Sequence, residues 1–153
     1  MSRRAQLAKE YFEKGYACSQ AVALAFADII GLPKTQIAKI MLPFGGGFGR
    51  LRLVCGTISG MTAVIGLIFS GEENSPENKK NVYAIEQTLC GRFKEKYGTL
   101  ICGELLEGMK VPVEVGGVAE PRTQEYYKKR SCGEIVYDVA QILDDYLQEK
   151  GVY

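Results

Sequence analysis

Histidine is absent from this chain, and its absence removes whole classes of chemistry. Histidine-dependent triads, mixed His/Cys zinc sites, histidine-ligated haem and two-His iron sites all need an imidazole. Any site must therefore use thiols, carboxylates, hydroxyls, lysine or backbone. An excess of one charge is also missing. The 19 basic and 18 acidic residues nearly cancel, no basic block stands out, and the aromatics are Tyr and Phe scattered apart from Lys and Arg. Nothing here makes an electrostatic case for nucleic acid.

Long hydrophobic runs are lacking too. Lys9, Glu10, Glu13 and Lys14 interrupt the N-terminal stretch, so no secretory signal is expected. The longest apolar run, Thr57 to Phe69, contains Gly60 and Gly66 and falls short of the roughly 20 residues that a membrane helix needs. We therefore expect a cytoplasmic protein without membrane contact, in which permanent disulfides between the five cysteines are disfavoured. No Cys-x-x-Cys occurs, which speaks against thioredoxin-like dithiol exchange and against zinc ribbons or knuckles.

What is present is a helical pattern. Apolar residues make up 46% of 153 residues, enough for one packed domain over residues 1–153. Leu7, Tyr11 and Phe12 form a stripe on a first helix, Arg3 to Lys14, broken by Gly15. A core helix follows from Cys18 to Ile30, stopped by Gly31 and Pro33, and Thr35 can cap a third. Gly45-Gly-Gly-Phe-Gly-Arg50 demands backbone freedom or close approach. A plain flexible or tightly packed loop is a better reading there than an anion-binding one, because no Gly-Lys-Ser/Thr ending and no preceding strand accompany it. Cys55 to Phe69 reads as a helix with a smooth face of Gly56, Gly60, Ala63 and Gly66. Ser75-Pro76-Glu77 starts a long helix to Tyr97. A short helix enters through Cys102, an irregular connection covers 110–124, and the last helix spans Cys132 to Gln148. The expected fold is an all-α, single-domain helical bundle of about six to seven helices.

Four of the cysteines share one context. Cys18, Cys55, Cys102 and Cys132 stand at or near predicted helix starts, and Gly56, Gly103 and Gly133 directly follow three of them. A helix N-terminus offers unpaired N–H groups and a partial positive charge that favour thiolate. Thiolate is the form that attacks disulfides and binds metal. Against this, a free cysteine is often a small buried hydrophobe. That reading suits Cys90, which lies within the long helix. Glu104 reads as a favourable first-turn charge.

The series Gly15-Tyr-Ala-Cys18-Ser-Gln-Ala-Val, Gly45-Gly-Gly-Phe-Gly-Arg-Leu, Cys55-Gly-Thr-Ile-Ser-Gly60, Cys102-Gly-Glu-Leu-Leu and Cys132 resembles the redox-active family named for its cysteine pattern, C_GCAxxG_C_C. The resemblance covers about Tyr11 to Leu147. It implies a mainly helical fold with redox-active or iron–sulfur-binding cysteines, and it gives Cys18, Cys55, Cys102 and Cys132 as the family set, with Gly56 and Gly60 from the central motif. Thr57 stands where the family name has alanine, and Cys90 is additional.

Three functions follow as expectations. The first is an iron–sulfur cluster, with [2Fe–2S] favoured, used for electron transfer or redox sensing. Its ligands would be Cys18, Cys55, Cys102 and Cys132, the same four thiols that would do the redox chemistry, with Gly56 and Gly60 beside the cofactor. The second is a metal-free thiol–disulfide oxidoreductase. The third is a helical interaction module with structural cysteines. An oxidoreductase and an electron carrier both remain open, as does the redox partner. Small-residue helix faces leave room for a homodimer. All depends on distant helix starts meeting in one pocket.

Overall fold

Ser2 starts the first helix of the computed structural model, which describes residues 2–153. Its hydroxyl accepts the Ala5 N–H at 3.1 Å, and α1 runs over Arg3–Glu13. Gly15, at φ 100°, turns the chain in the left-handed region. Ala17 then caps α2 (Cys18–Leu24), and its N–H donates to the Gln20 side chain at 2.9 Å. The core helix expected through Ile30 is broken. Phe26 leaves helical geometry at φ −114°, and α3 (Ala27–Ile30) follows separately. Arg4 takes the Ala25 carbonyl at the break, at 3.0 Å, and packs on the buried Phe26 ring.

Pro33, not Thr35, caps α4 (Lys34–Met41), because its fixed extended backbone already turns the chain into the helix. A 3₁₀ turn over Leu42–Phe44 leads into a single tight turn, α5 (Gly45–Phe48). The later helices are α6 (Gly56–Phe69), α7 (Pro76–Tyr97), α8 (Cys102–Gly108), α9 (Gln124–Lys129) and α10 (Cys132–Glu149). Ser75 caps α7 through the Asn78 N–H at 3.1 Å, with Pro76 at the first position, and Gly98 ends it. Helix α9 lies at the end of the connection expected to be irregular. Its signal was Thr123, whose hydroxyl accepts the Tyr126 N–H at 3.2 Å. Among the described residues the extended pairing is a single antiparallel bridge, Val54 to Ile101. The fold is all-α.

Helix α1 packs on α2 and α10, and α2 packs on α6. Phe12, Val22, Phe26, Met61, Ile65, Phe93, Val139 and Leu143 fill the interior between them. The α2–α6 contact is unusually close. A methyl group added at Gly60 would stand 2.6 Å from the Ser19 carbonyl oxygen. The Gly56 and Gly60 part of the small face of α6 is thus occupied by α2 within the chain. No helix among the described residues is long and apolar enough to cross a membrane.

Gly60→Ala should therefore lower folding stability by about 1–3 kcal/mol, the usual cost of overpacking. Urea denaturation measures it, and an unchanged midpoint would contradict the close packing.

Candidate functional site

One cavity of about 350 Å³ is lined by Cys18, Cys55, Cys102 and Cys132 together. The spatial condition set by the sequence is met. Cys18, Cys102 and Cys132 are the first residues of α2, α8 and α10, and Cys55 is the N-cap of α6. Four helix N-termini therefore open onto one space.

Local backbone pairing brings them there. The Cys55 N–H donates to the Leu100 carbonyl at 2.8 Å and the Cys102 N–H to the Leu53 carbonyl at 2.6 Å, on either side of the Val54–Ile101 bridge. Cys55 and Cys102 are thereby held on adjacent extended segments. Cys18 is seated against α6, where a methyl group at Gly56 would come within 2.5 Å of its sulfur. The loop after α4 closes the wall. Gly46, Gly47, Phe48, Gly49 and Arg50 all have positive φ, forming a left-handed turn, and Arg52 follows at φ 61°. Gly47 is required there twice over, because its missing side chain would meet Leu53 N at 2.6 Å and Cys102 Cβ at 2.7 Å. Of the flexible and the tightly packed loop that the sequence left open, the glycine run is the tightly packed one.

Each sulfur has identifiable neighbours. The backbone of Gly46 and Ser19 favours the thiolate form of Cys18. The Thr57 hydroxyl lies 3.0 Å from Cys55 Sγ. Arg52 Nη1 stands 3.8 Å from Cys102 Sγ. All five cysteines are free thiols. Among the described residues, no three cysteine or carboxylate side chains converge to grip one metal ion. The thiols surround a space rather than a point.

Burial overrides the helix dipole at three of them. It pushes Cys18 up, with repulsion from Cys102 adding to the rise and the backbone of Gly46 and Ser19 opposing it. Burial, then repulsion from Cys18, raises Cys55 far above the ordinary thiol range. Cys132 is pushed up to about 12, by burial first and by Cys18 second. The expectation that helix starts would favour thiolate is corrected here for these three: desolvation is the larger effect.

The sequence reading missed the cations. Arg50, Arg52, Arg122 and Arg130 line the cavity against one carboxylate, Glu120. Arg130 pairs with Glu120 at 2.5 Å, and Arg50 reaches it at 4.0 Å. The Nε atoms of Arg50 and Arg52 donate to the Gly116 and Glu114 carbonyls, each at 2.9 Å, fastening the connection after α8 over the site. Arg50 stood in the quoted glycine motif, but nothing local marked Arg52, Arg122 or Arg130. Thr57, first noticed as a departure from the family name, is fully buried in the cavity wall.

The profile of the family described as "Putative redox-active protein (C_GCAxxG_C_C)" matches residues 16–146. The chain belongs to this family. No curated protein and no solved structure matches it. Cys18, Cys55, Cys102 and Cys132, the set that the resemblance implied, are the four cysteines that line the cavity. Gly56 lines it, whereas Gly60 does not and serves the α2–α6 contact. Cys90 lies outside, half-buried on α7 against Glu86 at 3.3 Å. Glu104 also lies outside, accepting from the Thr99 hydroxyl in the first turn of α8.

Alkylation checks the electrostatics. At about pH 7.5, iodoacetamide should modify Cys18, Cys55 and Cys132 more slowly in the folded protein than in guanidinium, and Cys132, pushed up to about 12, at least about tenfold more slowly, since one pKa unit changes the thiolate fraction tenfold. Equal rates by mass spectrometry would contradict the burial assigned to them.

Proposed function

We propose that this protein binds an all-cysteine iron–sulfur cluster in the cavity and uses it for electron transfer or redox sensing in a reducing compartment such as the cytoplasm. The observation that carries the reading is the meeting of four thiols from four separate helix starts around one space. All-cysteine ligation suits a chain without histidine. Sulfurs ranged around a cavity suit a group of several metal ions better than a single tetrahedral ion, whose ligands must converge on one point. The cluster, when bound, supplies one-electron chemistry.

The protein's own part is to hold and tune the sulfurs. Cys18 is seated against Gly56, Cys55 is met by the Thr57 hydroxyl and Cys102 by Arg52. Hydrogen bonds to ligand sulfurs and surrounding charge set cluster potentials. The raised thiols lose their protons on ligation, so loading releases protons. Leu105, Leu106, Met109 and Ile135 give the cavity an apolar side that limits water.

Anaerobic expression or reconstitution should give coloured protein with about two iron and two sulfide per chain, as [2Fe–2S] requires. Four of each would replace the two-iron form by a four-iron one. Changing Cys18, Cys55, Cys102 or Cys132 to Ser should lower bound iron, whereas Cys90→Ser should retain it. Colourless protein that cannot be reconstituted would reject the cluster. Reversible loss of two thiols in such protein would favour metal-free disulfide chemistry.

A further inference from the structure

Arg52 is buried, only 7% exposed, yet it has no carboxylate within salt-bridge reach among the described residues. Its Nε is committed to the Glu114 carbonyl, and its Nη1 faces Cys102 Sγ across the cavity wall. A guanidinium stays charged at every pH a folded protein survives, and a buried charge without a counter-charge is costly. Arg122 is likewise without a carboxylate partner. It donates to the Phe12 and Tyr16 carbonyls and lies over the Phe12 ring, 4.4 Å from its centroid. Glu120 answers Arg130, and Arg50 has Glu114 at 3.5 Å and Glu120 at 4.0 Å, which leaves Arg52 and Arg122 without a carboxylate partner among the described residues. The N-terminal ends of α6 and α10 add partial positive charge on the same side.

We propose that the cavity is also a receiving site for a small oxyanion, of the carboxylate, phosphate or sulfate class, which binds beside the thiols with Arg52 as its principal counter-charge. The inference deepens the redox reading of the same site, because it names the charge class of the ligand that would meet the redox group. Planar guanidinium groups match two oxygens of such an ion in a fork that a spherical halide cannot use. The volume of about 350 Å³ lies at the low end for small-molecule sites, which restricts the ligand to a few heavy atoms once a redox centre is present. The apolar side formed by Phe12, Leu106 and Tyr126 would suit an organic anion, whereas an inorganic ion would leave it bare.

The test uses the full chain freed of metal, so that it does not depend on cluster binding. Thermal unfolding is followed while phosphate, sulfate, acetate or benzoate replaces chloride at constant ionic strength. A saturable rise in Tm with at least one oxyanion, absent with chloride, is the expected result. A larger response to benzoate than to phosphate identifies an organic ligand, and the reverse an inorganic one. Arg52→Gln should weaken that binding at least tenfold while Arg52→Lys restores part of it. If no oxyanion acts differently from chloride, or if a folded Arg52→Gln variant binds unchanged, the inference is overturned. Protein that takes up iron but no oxyanion overturns this inference alone. Protein that binds oxyanion but never iron leaves it standing and removes the cluster.

Discussion

The close approach of α2 to α6 is the constraint on which the cavity depends. Two helices can touch this closely only where side chains are missing, and Gly56 and Gly60 are one helical turn apart on the contacting face. At Gly60 the vacated space admits the backbone of Ser19. At Gly56 it admits the sulfur of Cys18. One stripe of small residues therefore sets both the helix packing and the position of a thiol. Ser19 and Gln20 extend the same device, since their side chains donate to the Met41 and Ala38 carbonyls and anchor the C-terminal end of α4, from which the loop departs.

That loop stores strain. Phe48, Arg50 and Arg52 lie in the left-handed region without being glycine, at a cost of about 1–2 kcal/mol each. Such residues persist where the surroundings over-determine them, often at functional sites. Here the i-to-i−6 bonds from Arg52 and Leu53 back to Gly46 and Gly47, and the pairing of Leu53 with Cys102, hold the turn. The return is that Arg52 is delivered beneath the turn with its guanidinium facing Cys102.

How much was legible in the sequence follows from the range of each interaction. Helix starts are local, so the N-terminal positions of Cys18, Cys55, Cys102 and Cys132 could be read from Ser, Pro and Gly signals nearby. Their convergence could be stated only as a condition, because it depends on α2–α6 packing and on the Val54–Ile101 bridge between distant segments. The break at Phe26 was hidden because the partner that takes up the freed Ala25 carbonyl, Arg4, comes from another helix. The thiol electrostatics went astray for a similar reason. A dipole can be inferred from a helix start, but burial belongs to the tertiary structure, and burial is the larger effect here. The arginines were invisible because a near-neutral chain total says nothing about where the charges gather.

Their gathering also bears on what the cysteines are for. A cysteine that merely fills a core needs hydrocarbon around it, and no charge need be carried inside to accompany it. This cavity instead sets four guanidinium groups and one carboxylate beside four thiols. Burying such groups is expensive and gains nothing from neutral sulfur. The proposed cluster and the proposed oxyanion would each bring negative charge to this wall, on sulfurs that give up their protons or on an ion from solution. The positive wall and the raised thiols are then two sides of one arrangement: burial pushes Cys18, Cys55 and Cys132 toward the thiol form, while Arg52 and Arg122 stand beside them without a carboxylate partner among the described residues.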